Sequence, residues 1–420
     1  MNIVILNDAA CIRGGADRVA FDSARGLAAR GHRVVLFTAF GPVDESISGV
    51  PGLEVICLGN SWLRNDRGLP AMTRGLWNRE AAVQLRGLLS RLEPADTIVH
   101  AHLYSSALSA SVMDASMRAG FATVLTLHDY FITCPNGAYF VFPKAKLCER
   151  RALSMSCLAC HCDSRRRAHK AWRVARTWLQ NRVAKIPQRL TAYAAVSGVC
   201  ETLARRDLPA DAAIEVLPNI VGVERHPPVD AARNRSLVFT GRLENYKGPH
   251  LLAEAAARLN LPVTFCGTGP LEAELKQRYP QARFTGWVTP EQVFEELGQA
   301  RGFVFPSVYR ETFGLSAAEA LARGIPVVAS RGTAAEEFVH HDRNGLLFAH
   351  NSVDDLTVQL AKLADDSLVS RLGAEAYETY WQAPLTAERH LEHLTRFYGD
   401  AMNRAKAKAG SKTGTAATPA

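Results

Sequence analysis

The chain has 420 residues, 47% of them hydrophobic and 21% charged, which is the make-up of a soluble globular protein of two domains. It holds no apolar run of about eighteen residues, which excludes a hydrophobic membrane-spanning helix. The opening MNIVILNDAACIRGG lacks the basic and long apolar parts of an export signal, so a cytoplasmic protein with reduced cysteines is expected. A net charge of +8 and a pI near 9.1 favour anionic partners.

Asn2 to Leu6 reads as an apolar strand, followed by Arg13-Gly14-Gly15, a helix over about 16–30 and a strand over 33–38. The glycines at the helix start suit close approach of an anion or sugar, or simply a tight turn. They are not GxGxxG, and no acidic residue closes the second strand, so a nicotinamide cofactor is not indicated. Strands over 53–58, 97–101 and 122–127 alternate with helices over 75–92 and 105–118, the pattern of a doubly wound α/β domain. His128 falls just past the carboxyl end of the strand over 122–127, where ligand-binding side chains collect. His100 and His102 stand at the end of the preceding strand, as ligand groups or as packed histidines.

An irregular insertion over 131–163 carries five of the nine cysteines. Cys157 and Cys160 have CxxC spacing, and Cys148, Cys157, Cys160 and Cys162 form a candidate structural zinc set, with reduced, packed thiols as the alternative. Residues 164–185 read as a basic helix with Trp172, Ala175, Trp178 and Leu179 near one face, suited to an anionic membrane surface or to packing on the domain. A strand over 190–196, a helix from Ser197 and a short strand over 214–217 complete the first domain, 1–220. A proline- and charge-rich stretch then reads as a linker over 221–235.

The second domain, 236–380, opens with the strand SLVFT and the loop Gly241 to Gly248. Arg242 and Lys247 sit there at a strand's carboxyl end, beside glycines at a helix start, and point to phosphate binding. Strands over 263–266 and 283–287, a helix over 290–297 and FVFPSVYRETFGLSAAEALARGIPVVAS (303–330) follow. This last stretch reads as a strand, a loop, a helix over 315–322 and a second strand. Glu311 lies in its loop and Glu319 about one turn into its helix. The backbone N–H groups of Phe313, Gly314 and Leu315 open that helix. Together they form a candidate site for a ligand bearing hydroxyls and phosphates. Helices fill 353–403, the last (381–403) docking on the first domain. A basic, disordered tail follows from Arg404.

GRLxxxKG at Gly241–Gly248, followed by the Glu-x7-Glu pattern of Glu311 and Glu319, resembles the retaining glycosyltransferase family 4 of the GT-B fold. That fold has two Rossmann-like domains facing a cleft. Gly14-Gly15 and TLHDY at Thr126–Tyr130 extend the likeness to the amino half. The cysteine insertion is similar to that of a subset tied to bacterial surface polysaccharides.

The resemblance implies transfer of a sugar, as by a hexosyltransferase, from a nucleotide-diphosphate sugar to a saccharide or lipid-linked saccharide. No catalytic metal and no nucleic-acid partner are expected; peripheral contact with anionic membrane is one of the two readings of the basic helix. It implies that Arg242 and Lys247 meet the diphosphate, Glu319 the ribose, and Glu311 and His128 the donor sugar. The N–H groups of Phe313 to Leu315 would meet sugar or phosphate, with Gly14 and Gly15 leaving room near phosphate and acceptor. A non-catalytic nucleotide-sugar binder and a nucleotide-sugar epimerase remain as alternatives.

Overall fold

The computed structural model describes residues 1–60 and 69–414. Two compact units divide the chain. The first takes Met1–Ala138, Arg150–Ile220 and the chain from Ala387 onward; the second takes Tyr139–Glu149 and Val221–Thr386.

The first unit holds the strands β1 (Asn2–Ala9), β2 (Arg33–Phe40), β3 (Leu53–Cys57), β4 (Thr97–Leu103) and β5 (Ala122–Leu127); the hairpin β6 (Phe140–Val141) and β7 (Lys146–Leu147) that follows in the chain belongs to the second unit. After the hairpin come β8 (Ala192–Ala195) and β9 (Ile214–Val216). Except for the hairpin they form one parallel sheet in the order β3-β2-β1-β4-β5-β8-β9. β1 is buried from Ile3 to Ala9, as an apolar run covered on both sheet faces must be. Strand order reverses between β1 and β4, which places a binding crevice outside their carboxyl ends.

The core of this unit joins Ile3, Ile5, Phe21 and Val124 to Leu391, Leu394, Phe397 and Tyr398 of the helix Ala387–Gly414. Gly26 makes that docking close, since a Cβ there would lie 2.3 Å from Leu391 Cδ1. The helix runs well past Arg404, where the sequence reading placed disorder. Ala and Lys are strong helix formers and no proline interrupts them before Pro419. Residues 415–420 of the expected tail lie outside the described residues.

Two other helices differ from the sequence reading. The one read over 75–92 is Leu69–Leu76 and Arg79–Leu89, broken where the Asn78 side chain accepts from Ala81 N–H at 3.0 Å. The one read over 105–118 starts only at Ser111, because the amides of Ser106, Ala107 and Leu108 all donate to Asp8.

The second unit is a parallel sheet in the order β12-β11-β10-β13-β14-β15. Its strands are β10 (Ser236–Thr240), β11 (Val263–Cys266), β12 (Arg283–Gly286), β13 (Ala300–Phe305), β14 (Val327–Ser330) and β15 (Gly345–Phe348). Its order reverses between β10 and β13. Residues 221–235, read as a linker, are packed here. The buried Arg301 guanidinium donates to the carbonyls of Ala232 at 2.7 Å and Asn234 at 3.1 Å, which fixes the stretch.

Candidate functional site

In the second unit the loops after β10 and β13 meet at the switch point. Glu311 is buried, and its carboxylate is fully engaged. Lys247 Nζ donates to Oε1 at 2.5 Å, Ser307 Oγ to Oε1 at 2.7 Å and Tyr309 Oη to Oε2 at 2.6 Å. A carboxylate is costly to bury unless paired, and here an ammonium and two hydroxyls supply the pairing. An ammonium carries three donors, of which Glu311 takes one. Lys247 also lies 5.3 Å from the centre of the Tyr309 ring. Arg242 stands at the mouth of the same loop, its side chain 54% exposed and ion-paired with Glu244.

Glycine is required where these loops approach one another. Gly248 has φ +71°, and a Cβ there would fall 2.0 Å from the Pro306 carbonyl oxygen, so only glycine lets the Lys247 loop lie against the end of β13. Gly314 caps the helix Leu315–Ala322 with φ 99° and no side-chain cap. The amides that open that helix therefore lack a capping side chain, the arrangement that suits an anion or a hydroxyl oxygen. Phe313 beside it is buried, Leu315 is partly buried, and Glu319 sits half-buried within the helix.

Ser307, Tyr309 and Tyr246 were not singled out from the sequence. Their signal was position: Ser307 and Tyr309 lie between the end of β13 and Glu311. The β6–β7 hairpin adds a further layer. Phe142 packs edge-on against Tyr246 at 5.6 Å, Tyr246 against Tyr309 at 5.1 Å, and Glu149 pairs with Arg310. Part of the insertion thus buttresses the residues around Glu311.

In the first unit the loops after β1, β4 and β5 carry the other candidate group. Gly14 and Gly15 are exposed at the start of the helix Gly15–Ala29, and Gly14 has no atom within 4 Å of where a Cβ would stand. Asp17 ties the turn down by accepting from Asn7 Nδ2 at 2.9 Å and from Arg13 N–H at 3.1 Å.

His128 is half-buried, and its Nε2 lies 2.9 Å from His102 Nδ1. The His102 ring lies 4.2 Å from that of His100, tilted by 41°, and His100 is held between Tyr398 Oη at 2.6 Å and Thr126 Oγ1 at 2.7 Å. Burial holds His100 and His128 down to about 3 and His102 well below its ordinary value, so all three rings are neutral at pH 7. Neighbouring Asp129 is pushed up to about 6 by burial, against the pull of the Phe131 amide and Arg176. Burial likewise raises Asp8, although three backbone amides pull its carboxyl the other way. Asp8 was not singled out from the sequence, and Asp129 only as part of TLHDY; a polar residue closing an apolar strand was the available signal.

The four cysteines do not fit a zinc site. Lys170 is buried with its ammonium 3.2 Å from Cys162 Sγ and 3.7 Å from Cys157 Sγ, placing a positive charge against two of the expected ligands. Among the described residues no group of three His, Cys, Asp or Glu side chains is arranged to hold a metal ion. The four thiols form no disulfide; Cys148, Cys157 and Cys162 are buried and Cys160 partly so, which fits the reduced, packed thiols given as the alternative.

Residues 13–225 match the family described as Glycosyltransferase Family 4. The chain belongs to glycosyltransferase family 4. Residues 234–366 match a second description, Glycosyl transferases group 1. Among its relatives, this family 4 protein is 29% identical over 168 residues to O-antigen chain mannosyltransferase C of Escherichia coli, covering 38% of this chain and 45% of that one. It is 36% identical over 123 residues to D-rhamnosyltransferase WbpZ of Pseudomonas aeruginosa, covering 27% and 32%. The chain thus spans less than half the length of these relatives. Among solved structures, HepE of Anabaena in complex with UDP superposes with a TM-score of 0.66 at 17% identity, over 95% of this chain and 100% of that one. Sucrose-phosphate synthase of Thermosynechococcus elongatus gives 0.70 at 19% identity, over 94% and 98%. These likenesses establish the GT-B fold, with its two Rossmann-like domains.

Proposed function

We propose that this family 4 protein is a retaining glycosyltransferase, a hexosyltransferase that moves a sugar from a nucleotide-diphosphate sugar to a hydroxyl of a saccharide or lipid-linked saccharide, in the synthesis of cell-surface polysaccharide. The observation that carries the reading is the partly buried Lys247–Glu311 pair beside the glycine-capped helix of Glu319. Lys247 and Arg242 take the diphosphate, whose charge grows as the sugar–phosphate bond breaks. Fixed cations stabilise that charge best where water is excluded. Glu319 accepts from the ribose hydroxyls and Glu311 from hydroxyls of the donor sugar, with the N–H groups of Phe313 to Leu315 on sugar or phosphate.

His128, neutral at pH 7, donates to or accepts from the donor sugar without adding charge. Gly14 and Gly15 leave room near the phosphate and acceptor. The leaving phosphate takes the proton of the incoming hydroxyl on the same face of the ring, so configuration is retained. Glu311 then positions the sugar and does not attack it as a glycosidase nucleophile would. Relatives named for O-antigen and D-rhamnose transfer support a saccharide acceptor, and the UDP complex supports a nucleotide donor. The basic segment 164–185 would bring the enzyme to an anionic membrane surface bearing a lipid-linked acceptor.

A thermal-shift screen against UDP, GDP, ADP and their sugar conjugates tests donor binding. A nucleotide at a hundred times its dissociation constant adds about 2.7 kcal/mol, and Glu319→Ala should lose most of that. Transfer to a saccharide acceptor should follow with the same nucleotide. Donor binding without transfer would favour a non-catalytic binder, and product from donor alone an epimerase; either result overturns the proposal.

A further inference from the structure

The positive charge of this protein is concentrated in one stretch. Residues 150–189 contain eleven Lys or Arg and a single acidic residue, Asp163, a net +10 against +8 for the whole chain. Seven of the eleven cations are exposed, Lys170 and Arg176 being buried and Arg189 paired with Asp114, and Asp163 does not neutralise those seven. It is buried and spent internally on His169 Nδ1 at 3.0 Å and Arg173 at 3.2 Å. The same stretch exposes large apolar side chains: Met155 is 81% exposed, Trp178 54% and Leu158 44%.

These features frame a groove. A cavity of about 660 Å³ opens between the helix Met155–Ala159 and the helix Arg167–Trp178. Leu158, Ala171, Val174, Ala175 and Trp178 form its apolar walls. Spacings of three and four put the residues of the longer helix on one face. Trp172, expected from the sequence on this face, instead turns away and donates to the Met72 carbonyl at 3.2 Å. Polar groups line the groove as well: the exposed Arg167, and His161, whose Nδ1 is buried without a partner.

We propose that this groove receives one acyl chain of an anionic membrane phospholipid, with the lipid phosphate against Arg167 and its exposed neighbour Arg166. The proposal rests on the membrane-contact part of the function proposed above and gives it a site. Charge decides the occupant. A second copy would bring the same positive face against itself. A bilayer containing anionic lipid supplies both the opposite charge and an apolar chain. Either attraction alone is weak and reversible, and stable anchoring takes two. A tryptophan at the groove is suited to the interface between chain and headgroup.

Full-length protein is mixed with vesicles of phosphatidylglycerol and phosphatidylcholine whose acyl chains carry bromine, and with pure phosphatidylcholine vesicles. Bound protein should show tryptophan quenching that Trp178→Phe removes, and Val174→Asp should bind the anionic vesicles at least tenfold more weakly. The melting temperatures of both variants verify that they remain folded. Binding to anionic vesicles without quenching, and with Val174→Asp unchanged, would reduce the contact to surface charge and overturn the groove proposal alone. No vesicle binding at all would overturn the membrane contact too, while transfer to a soluble acceptor would still stand or fall separately. A concentration-dependent dimer that Val174→Asp dissociates would assign the groove to a second copy and refute the proposal.

Discussion

Replacing Glu311 by glutamine keeps the shape of the side chain and removes its charge. An amide can still accept from one neighbour and exchange donor and acceptor roles with the hydroxyls of Ser307 and Tyr309, now 2.7 and 2.6 Å away. What it cannot replace is the pairing with Lys247 at 2.5 Å. Breaking a fully buried ion pair costs about 3–5 kcal/mol, and an exposed one about 0–1. The Lys247 side chain is 24% exposed and that of Glu311 9%, so a loss of about 1–2 kcal/mol in unfolding free energy is expected. The effect on catalysis should be larger. A hydrogen bond to a charged group is worth about 1.5–3 kcal/mol, which corresponds to a fall in kcat/KM of about 10- to 100-fold. Urea denaturation reads the first quantity and single-turnover transfer the second. A kcat/KM within threefold of wild type would refute the positioning role. A stability loss above about 4 kcal/mol would make Glu311 chiefly structural. A double-mutant cycle with Lys247→Met should give a coupling of about 0.5–3 kcal/mol, and additivity would deny the pair.

Gly248→Ala forces a left-handed residue and a Cβ against the Pro306 carbonyl, so urea denaturation should show the second unit weakened by at least about 2 kcal/mol; an unchanged midpoint would contradict the close approach of the loops. Tyr398→Phe strips His100 Nδ1 of its 2.6 Å partner inside the core and should cost about 1–3 kcal/mol in the same assay. Stability should also fall with acidification. His100 and His128 titrate near 3 and His390 near 4 when folded, but near 6.5 when unfolded. Their contribution is complete above pH 6.5 and is lost as pH falls below it, because only the unfolded chain takes up the protons. The slope is about 1.4 kcal/mol per pH unit for each histidine. Asp129, raised to about 6, works in the opposite sense and offsets one of them between pH 6 and its ordinary value of 3.8. Histidine NMR signals that titrate near 6.5 would refute this account.

The sequence by itself determined the layered plan and most of the chemistry. Apolar strands spaced by amphipathic helices permit few arrangements besides two doubly wound sheets, and β5, β10, β11 and the helix Leu315–Ala322 lie where the sequence reading put them. Arg242, Lys247 and Glu311 stood out in the sequence as charged residues following apolar strands near glycines, and Glu319 as a charge within an apolar helix; the structure brings Lys247 and Glu311 together as an ion pair.

Tertiary structure decided what depends on partners distant in sequence. Ser307 and Tyr309 matter only because the fold turns them onto Glu311. His100 is held by Tyr398, nearly three hundred residues away, so its neutrality is a product of packing. The cysteines show the limit most clearly. Their spacing suggested zinc, but spacing does not reveal that Lys170 would be buried against two of the sulfurs. The basic helix likewise showed its charge in the sequence. Which tryptophan lines the groove was decided by the fold: Trp172 donates to the Met72 carbonyl, whereas Trp178 lines the cavity together with residues of the short helix. Local pattern sets element type and chemical inventory, whereas burial and pairing, which set the energy of every charged group, exist only once the chain has closed on itself.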